Sequence, residues 1–336
     1  MRPFAYARVD TPAAAVGAFD NVRAAADRQY LAGGTTLVDL MKLDVMRPQA
    51  VIDINALERT ALGRIEAGAR GLTLGAMARM ADAAEHPAVK RDYPVIAQSL
   101  KLAASQQLRN MASLGGNVLQ RTRCPYFRDV SYASCNKRNP GSGCTALESI
   151  HRDHAVLGVS DACIAAYPGD FGQALIALDA AVEVAGPQGV RRLSFAELHR
   201  MPGDTPDLET TLRPGELIVA FMVPAAPWTR RSLYLKVRQR ESYEFALASA
   251  AVALDLDQSR AVRGARVALG GVATVPWRAQ DAEAALMGKT LDEEAAAAAG
   301  DAAFANARPR TDNSYKVALG KRTLVRALLQ AAAMET

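Results

Sequence analysis

All four cysteines of this 336-residue chain fall in one window, Cys124, Cys135, Cys144 and Cys163, separated by ten, eight and eighteen residues. Three of them lie in CPYFRDVSYASCNKRNPGSGC, positions 124 to 144, where Pro125, Pro140, Gly141 and Gly143 break regular structure. Four thiols so grouped support three chemistries. Disulfides need an oxidising compartment and could pair in three ways. Zinc accepts four thiolates, or thiolates with the nearby His151 and His154, yet structural zinc sites favour close C-x-x-C pairs and none occurs here. An iron–sulfur cluster also takes four thiolates, with spacing that varies between families. The spacing ranks the cluster ahead of zinc and disulfides and excludes neither. Arg121, Arg123, Arg128, Lys137 and Arg138 crowd the first two cysteines. Nearby cations favour thiolate over thiol whatever the ligand, so they support thiolate and not iron in particular.

A second chemistry resides in two Gly-Gly pairs. LAGGTTLVDLMKL (31–43) reads as a strand end, a turn and a helix start, with Thr35 and Thr36 directly after Gly33 and Gly34. LRNMASLGGN (108–117) places Gly115 and Gly116 between Ser113 and Asn117. Glycine lets a phosphate approach the backbone, and N–H groups at such a turn are anion donors. Two such turns could clamp a diphosphate from opposite sides. The common nucleotide fingerprints are missing: there is no G-x-x-x-x-G-K-[ST], and GSGCTA (141–146) lacks the preceding apolar strand that a Rossmann turn requires.

The elements that must position these residues form an α+β pattern. Strands are expected in 27–31, 49–57, 64–75, 180–186 and 215–225, and helices after each Gly-Gly turn and over 93–105. Segments 228–257 and 264–279 read as long strands, in part antiparallel, and two Ala-rich helices are expected at roughly 280–306 and 313–334. Pro224 and Pro227 mark a boundary near 226, dividing the chain into domains 1–225 and 226–336, with a Cys-rich insert at about 121–165. The net charge of +5 is mild, and its Arg and Lys are scattered with few aromatics between them, which argues against nucleic acid. No apolar run is long enough to span a bilayer, and the start shows no secretory signal. A soluble chain without its own export address is expected, and a signal-bearing partner could still export it.

LAGGTTLVDLMKL followed by LRNMASLGGN resembles the flavin-binding subunit of the xanthine dehydrogenase and molybdenum hydroxylase family, over nearly the whole chain. The tail from about 228 is similar to the C-terminal domain of carbon monoxide dehydrogenase flavoproteins. QRTRCPYFRD, CNKR, PGSGC and SDACIA are similar to the insert of flavin subunits from bacterial periplasmic aldehyde oxidoreductases, which carries an additional [4Fe–4S] cluster. The resemblance implies a two-lobed FAD-binding domain of the vanillyl-alcohol-oxidase/PCMH type followed by a small α+β domain. It implies that Ala32, Gly33, Gly34, Thr35, Thr36 and Leu37 line one pyrophosphate loop of FAD, and that Ser113, Gly115, Gly116 and Asn117 form the other. Ala104 and Arg109 would lie on the approach. Asp170 would sit near the adenosine ribose and Lys236 near the flavin ring. Cys124, Cys135, Cys144 and Cys163 would bind the cluster.

The function so implied is an electron-transfer subunit with no catalytic residues of its own. A partner with a molybdenum cofactor would oxidise aldehydes to carboxylic acids, a small [2Fe–2S] partner would pass electrons on, and FAD here would hand them to an external acceptor. A heterotrimer in the periplasm is expected, with the cytoplasm as the other compartment. The alternatives are the flavin subunit of a xanthine or N-heterocycle dehydrogenase, or a zinc-stapled assembly module without a redox centre in the insert.

Overall fold

A computed structural model describes residues 1–19 and 27–335 of the chain. Three sheets organise it. The first is a parallel sheet in the order β1-β3-β2, from β1 (Ala5–Arg8), β2 (Arg28–Leu31) and β3 (Ala50–Asp53). The second is antiparallel, in the order β4-β5-β8-β6-β7, from β4 (Ile65–Gly68), β5 (Gly71–Gly75), β6 (Ala181–Gly186), β7 (Gly189–Ser194) and β8 (Leu217–Pro224). The third, also antiparallel, runs β12-β11-β10-β9, from β9 (Ser232–Val237), β10 (Ala248–Leu256), β11 (Val262–Gly270) and β12 (Trp277–Arg278). The α+β class expected from sequence is therefore observed.

The helix Pro94–Leu102 opens on a proline, whose missing N–H costs nothing in a first turn. Val95, Ile96 and Leu100 are buried in the core of the second sheet, together with Phe171, Leu175, Phe195 and Phe221. Hydrophobic burial of this kind, worth about 1.5–3 kcal/mol per large side chain, is what fixes the two-layer arrangement. A separate core lies between the third sheet and the C-terminal helices. There the sequence expectation needs correction. The span 280–306 is two helices, Gln280–Leu286 and Glu293–Ala303, because Gly288 adopts a left-handed φ of 72° and Asp292 caps the second helix by accepting from Ala295 N at 2.8 Å. The long strands expected in 228–257 are β9 and β10, paired antiparallel and joined by the loop 238–247. No helix among the described residues is long and apolar enough to cross a membrane.

The segment 121–165 holds only the short helices Pro125–Arg128 and Thr145–Glu148. Its exit is pinned by the last helix, Tyr315–Ala332. The buried Lys316 ammonium donates to the carbonyls of Asp153 (2.9 Å) and Gly271 (2.7 Å), and Asn313 Nδ2 donates to Ala155 O (3.1 Å). Its entrance is pinned at Val118, whose carbonyl accepts from the Tyr167 hydroxyl (3.0 Å) and from His199 Nε2 (2.9 Å). The His199 ring packs against Tyr167 and Phe195, with centroids 5.0 and 5.5 Å away, and its Nδ1 is buried without a partner. Burial pushes this imidazole down to about 4.

The folded state thus binds fewer protons than the unfolded chain between pH 6.5 and about 4, and stability falls as pH drops through that window. His154, also pushed down to about 4 by burial, adds to the same loss. His199→Gln, which keeps a donor for Val118, is expected to remove roughly 1–3 kcal/mol of that acid sensitivity. Urea unfolding at pH 7.5 and pH 4.5 reads it; an unchanged pH dependence counts against a buried neutral His199.

Candidate functional site: two glycine loops and a cysteine pocket

The chain leaves β2 at Leu31, passes through Ala32–Thr36 and enters the helix Leu37–Lys42. Gly34 has φ 73°, in the left-handed region that glycine tolerates. Gly33 has a different reason to be glycine. A Cβ there would collide with the carbonyl oxygen of Met111 and lie 3.1 Å from Ala112 Cα. The two Gly-Gly segments, far apart in sequence, therefore meet backbone to backbone. Arg79 braces the junction, its guanidinium bonded to Met111 O and Glu58. Asn55 braces the other side, donating to Ala32 O at 3.0 Å while its own N–H bonds to Asp53 Oδ1 at 2.8 Å.

The two loops are not equivalent donors. Ser113 caps the helix Leu114–Val118, its Oγ accepting from Gly116 N at 3.2 Å. Leu114 N donates to Ala78 O (3.0 Å), Gly115 N to Ala76 O (2.8 Å) and Asn117 N to Ser113 O (2.9 Å). The amides of the second loop are thus spent on the protein. Those of Gly33, Gly34, Thr35 and Thr36 meet no backbone acceptor among the described residues. The first loop is the one that can offer N–H groups and Thr hydroxyls to a diphosphate. The second offers the Ser113 hydroxyl proton, a close backbone approach and Asn117, whose buried Oδ1 has no partner in the chain and suits a ligand hydroxyl. Ala104 takes a left-handed φ of 49°, a costly conformation for alanine, and Arg109 holds that turn by donating to Ala103 O at 2.8 Å. Arg109 is committed to backbone, so it shapes the approach without pointing a free charge into it.

Asp170 and Lys236 lie side by side. The resemblance set one beside the adenosine ribose and the other beside the flavin ring, yet Lys236 Nζ lies 2.8 Å from Asp170 Oδ2 with both side chains almost wholly buried. Tyr234 OH donates to Asp170 Oδ1 at 2.6 Å and lies 2.9 Å from Ser249 Oγ, and Lys236 also donates to Leu102 O at 3.0 Å. Burial pushes the Asp170 carboxyl above its ordinary value, opposed by the Lys236 ammonium and the Tyr234 hydroxyl. Asp170 is bonded in the core to both Lys236 and Tyr234. Tyr234 carried no sequence signal for this role, since a tyrosine in a strand is ordinary packing.

The four cysteines line one small cavity with Tyr126, Phe127 and Lys137. Cys124 caps the helix Pro125–Arg128, and Cys135 and Cys144 face each other across an isolated antiparallel bridge. All four are free thiols. Burial pushes Cys124 up to about 12, Cys163 up to about 11, and Cys144 upward as well. Such thiols stay protonated unless a metal takes the place of the protons. Yet among the described residues no three His, Cys, Asp or Glu side chains come together closely enough to hold one metal ion. The thiols converge on a cavity without closing into a single-ion site. The zinc alternative with histidines is not assembled: His154 Nε2 lies 3.2 Å from Cys124 Sγ, whereas His151 bonds to Ser149 O and Asp312 N.

The surrounding cations are also reassigned. Arg121 and Lys137 pair with Glu209 at 2.7 and 2.8 Å, Arg123 and Arg128 pair with Asp39 at 3.3 and 2.7 Å, and Arg138 donates to the carbonyls of Tyr126 and Phe127. Burial pushes the Glu209 carboxyl up, but Arg121 and Lys137 outweigh it and hold the group below its ordinary value. These charges fasten the insert to its surroundings more than they bathe the thiols.

The chain belongs to the family described as the FAD binding domain in molybdopterin dehydrogenase, matched over residues 2–226, and continues into a CO dehydrogenase flavoprotein C-terminal domain over residues 233–331. It is 47% identical over 334 residues to the aldehyde oxidoreductase FAD-binding subunit PaoB of Escherichia coli K12, covering 99% of each chain. It is 29% identical to the carbon monoxide dehydrogenase medium chain of Hydrogenophaga pseudoflava, covering 90% of this chain and 88% of that one. The solved carbon monoxide dehydrogenase of the same organism superposes with a TM-score of 0.75 at 28% identity over 99% of this chain and 98% of that one. The family and the loop geometry agree: this chain binds FAD.

Two outcomes follow from the geometry. Gly33→Ala wedges the loops apart, and FAD affinity is expected to fall by roughly tenfold or more, about 1.4 kcal/mol per decade, while far-ultraviolet circular dichroism stays unchanged. Fluorescence titration of the deflavinated protein measures it. Asp170→Ala strands a buried ammonium and is expected to cost about 3–5 kcal/mol in denaturant unfolding. A cost below 1 kcal/mol would show that the pair is not desolvated.

Proposed function

We propose that this chain is the FAD-binding electron-transfer subunit of a molybdenum-containing aldehyde oxidoreductase. It would work beside one subunit that holds the molybdenum cofactor and a small one that holds [2Fe–2S] clusters. The observation that carries this reading is the 47% identity to an aldehyde oxidoreductase FAD-binding subunit over 99% of both chains. Bond chemistry on the aldehyde belongs to a partner, and the residues here bind and orient. FAD, when bound, supplies the redox chemistry that links the partners' centres to an external acceptor. The first loop holds the diphosphate by its free N–H groups, the second closes over it through Ser113 and Asn117, and Lys236 keeps one ammonium proton beyond its bonds to Asp170 and Leu102.

The same reading gives Cys124, Cys135, Cys144 and Cys163 to a [4Fe–4S] cluster. It is supported by four free thiols lining one cavity and by their burial. Its role is that of a staple, because the insert has almost no regular structure of its own and a metal group can supply folding energy. The test is anaerobic visible spectroscopy with iron, zinc and flavin analysis on the purified complex and then on this subunit. About four irons and one FAD per chain are expected. Zinc in place of iron would sink the cluster. If Cys135→Ser kept full FAD content and stability and slowed only turnover, the staple would give way to an electron relay.

A further inference from the structure

The insert and the FAD loop are joined at one residue. Asp39 lies in the first turn of the helix Leu37–Lys42, which follows directly on Gly33–Thr36. Its carboxylate accepts from Arg128 through both oxygens, Nη1 to Oδ2 at 2.7 Å and Nη2 to Oδ1 at 3.2 Å, and from Arg123 Nη1 at 3.3 Å. The two arginines flank Cys124: Arg123 precedes it, and Arg128 ends the short helix that Cys124 caps. The hydrogen bonds from Arg128 hold the Asp39 carboxyl below the ordinary carboxylate range. A second link is apolar. Leu40, the neighbour of Asp39, shares a buried cluster with Phe127 and Cys135, and Cys124 packs against that cluster. Arg123 reaches further, lying 4.9 Å over the ring of Phe245 in the 238–247 loop.

We propose that Asp39 is a positioning residue that makes the set of the FAD loop depend on the fold of the cysteine insert. The inference rests on the reading that Gly33–Thr36 cradles the FAD diphosphate. A two-pronged Arg–carboxylate contact fixes direction as well as distance. The helix that starts at Leu37 sets where the four free N–H groups before it point. Asp39 itself faces the insert, so it acts on FAD only through the loop. If the insert shifts, the fork pulls the helix with it.

Charge alone does not explain this placement. Surface ion pairs are worth little, but Arg123 and Arg128 are only about a quarter exposed and both converge on one carboxylate. Glu209 performs the matching task on the other side of the insert, gripping Arg121 and Lys137. Asp39 and Glu209 thus each grip two cations of the insert, and Asp39 belongs to the FAD-loop helix.

The experiment uses the full chain purified with its partners, then deflavinated and titrated with FAD. Asp39→Asn removes the charge and keeps the size. It is expected to weaken FAD roughly tenfold, about 1.4 kcal/mol, and to change the visible circular dichroism of the bound flavin. Arg128→Gln is expected to do the same, and the double variant no worse than the poorer single one, because both cut one link. Asp39→Glu, which restores the charge, is expected to recover affinity to within about threefold. A loss in the double variant equal to the product of the single losses would overturn the proposal. So would unchanged affinity and dichroism in either single variant, and Arg128→Gln decides the matter should Asp39→Asn fail to fold. Gly33→Ala separates the two levels: unchanged FAD affinity there would reject the loop as the cradle, whereas a loss there with none in Asp39→Asn would reject only the coupling.

Discussion

Gly33 has no space for a side chain, because the backbone of Met111 and Ala112 occupies it. Most of the site follows from that contact. It brings two loops from distant parts of the chain to one place and removes any freedom in how they approach. It also divides their labour. The second loop is tied by its amides to the segment Ala76–Met80, so it is rigid and has little hydrogen-bonding capacity to spare. The first loop keeps its N–H groups free and must be held by other means. Asn55 holds it through the carbonyl of Ala32, and Asp39 anchors the helix that follows it. An anion site needs donors that are unsatisfied without the ligand yet do not collapse onto the protein. A braced loop against a rigid one meets that need.

Burial of charge is the second organising constraint. An ion removed from water must find a partner, or it destabilises the fold. In this chain the partners join segments that are remote in sequence: Asp170 with Lys236, Glu209 with Arg121 and Lys137, and Asp39 with Arg123 and Arg128. The basic run around the cysteines is therefore an attachment device. Four of its five charges meet Asp39 or Glu209, Arg138 bonds to carbonyls within the insert, and Lys137 alone of the five lines the cysteine cavity. Buried neutral thiols, with acidities pushed toward higher pH, are consistent with a pocket that waits for metal to displace its protons.

Much of the fold was legible in the linear chain. The strand–turn–helix units around Gly33 and Gly34 and the strand pair 65–75 followed from apolar periodicity and glycine punctuation, and the structure has them. Local signals failed where a break depended on a single cap. Asp292 and Gly288 split an alanine-rich stretch whose periodicity alone reads as one helix. The cysteine window was plain from counting, but its neighbours were misread, because the sequence shows that arginines are near cysteines and not which carboxylates they will meet.

The sequence by itself determined the residue types at the site: glycines where no side chain fits, hydroxyls beside them, and four thiols in one insert. These are local choices, imposed by sterics and by the chemistry of donor atoms. Only the tertiary structure decided how they are shared out. It left the amides of one loop free and spent those of the other. It set Asp170 beside Lys236, and it turned Asp39 toward the insert. The physical reason is the same in each case. Hydrogen bonds and ion pairs are made with whatever the fold brings within about 3 Å, and sequence separation carries no information about that distance.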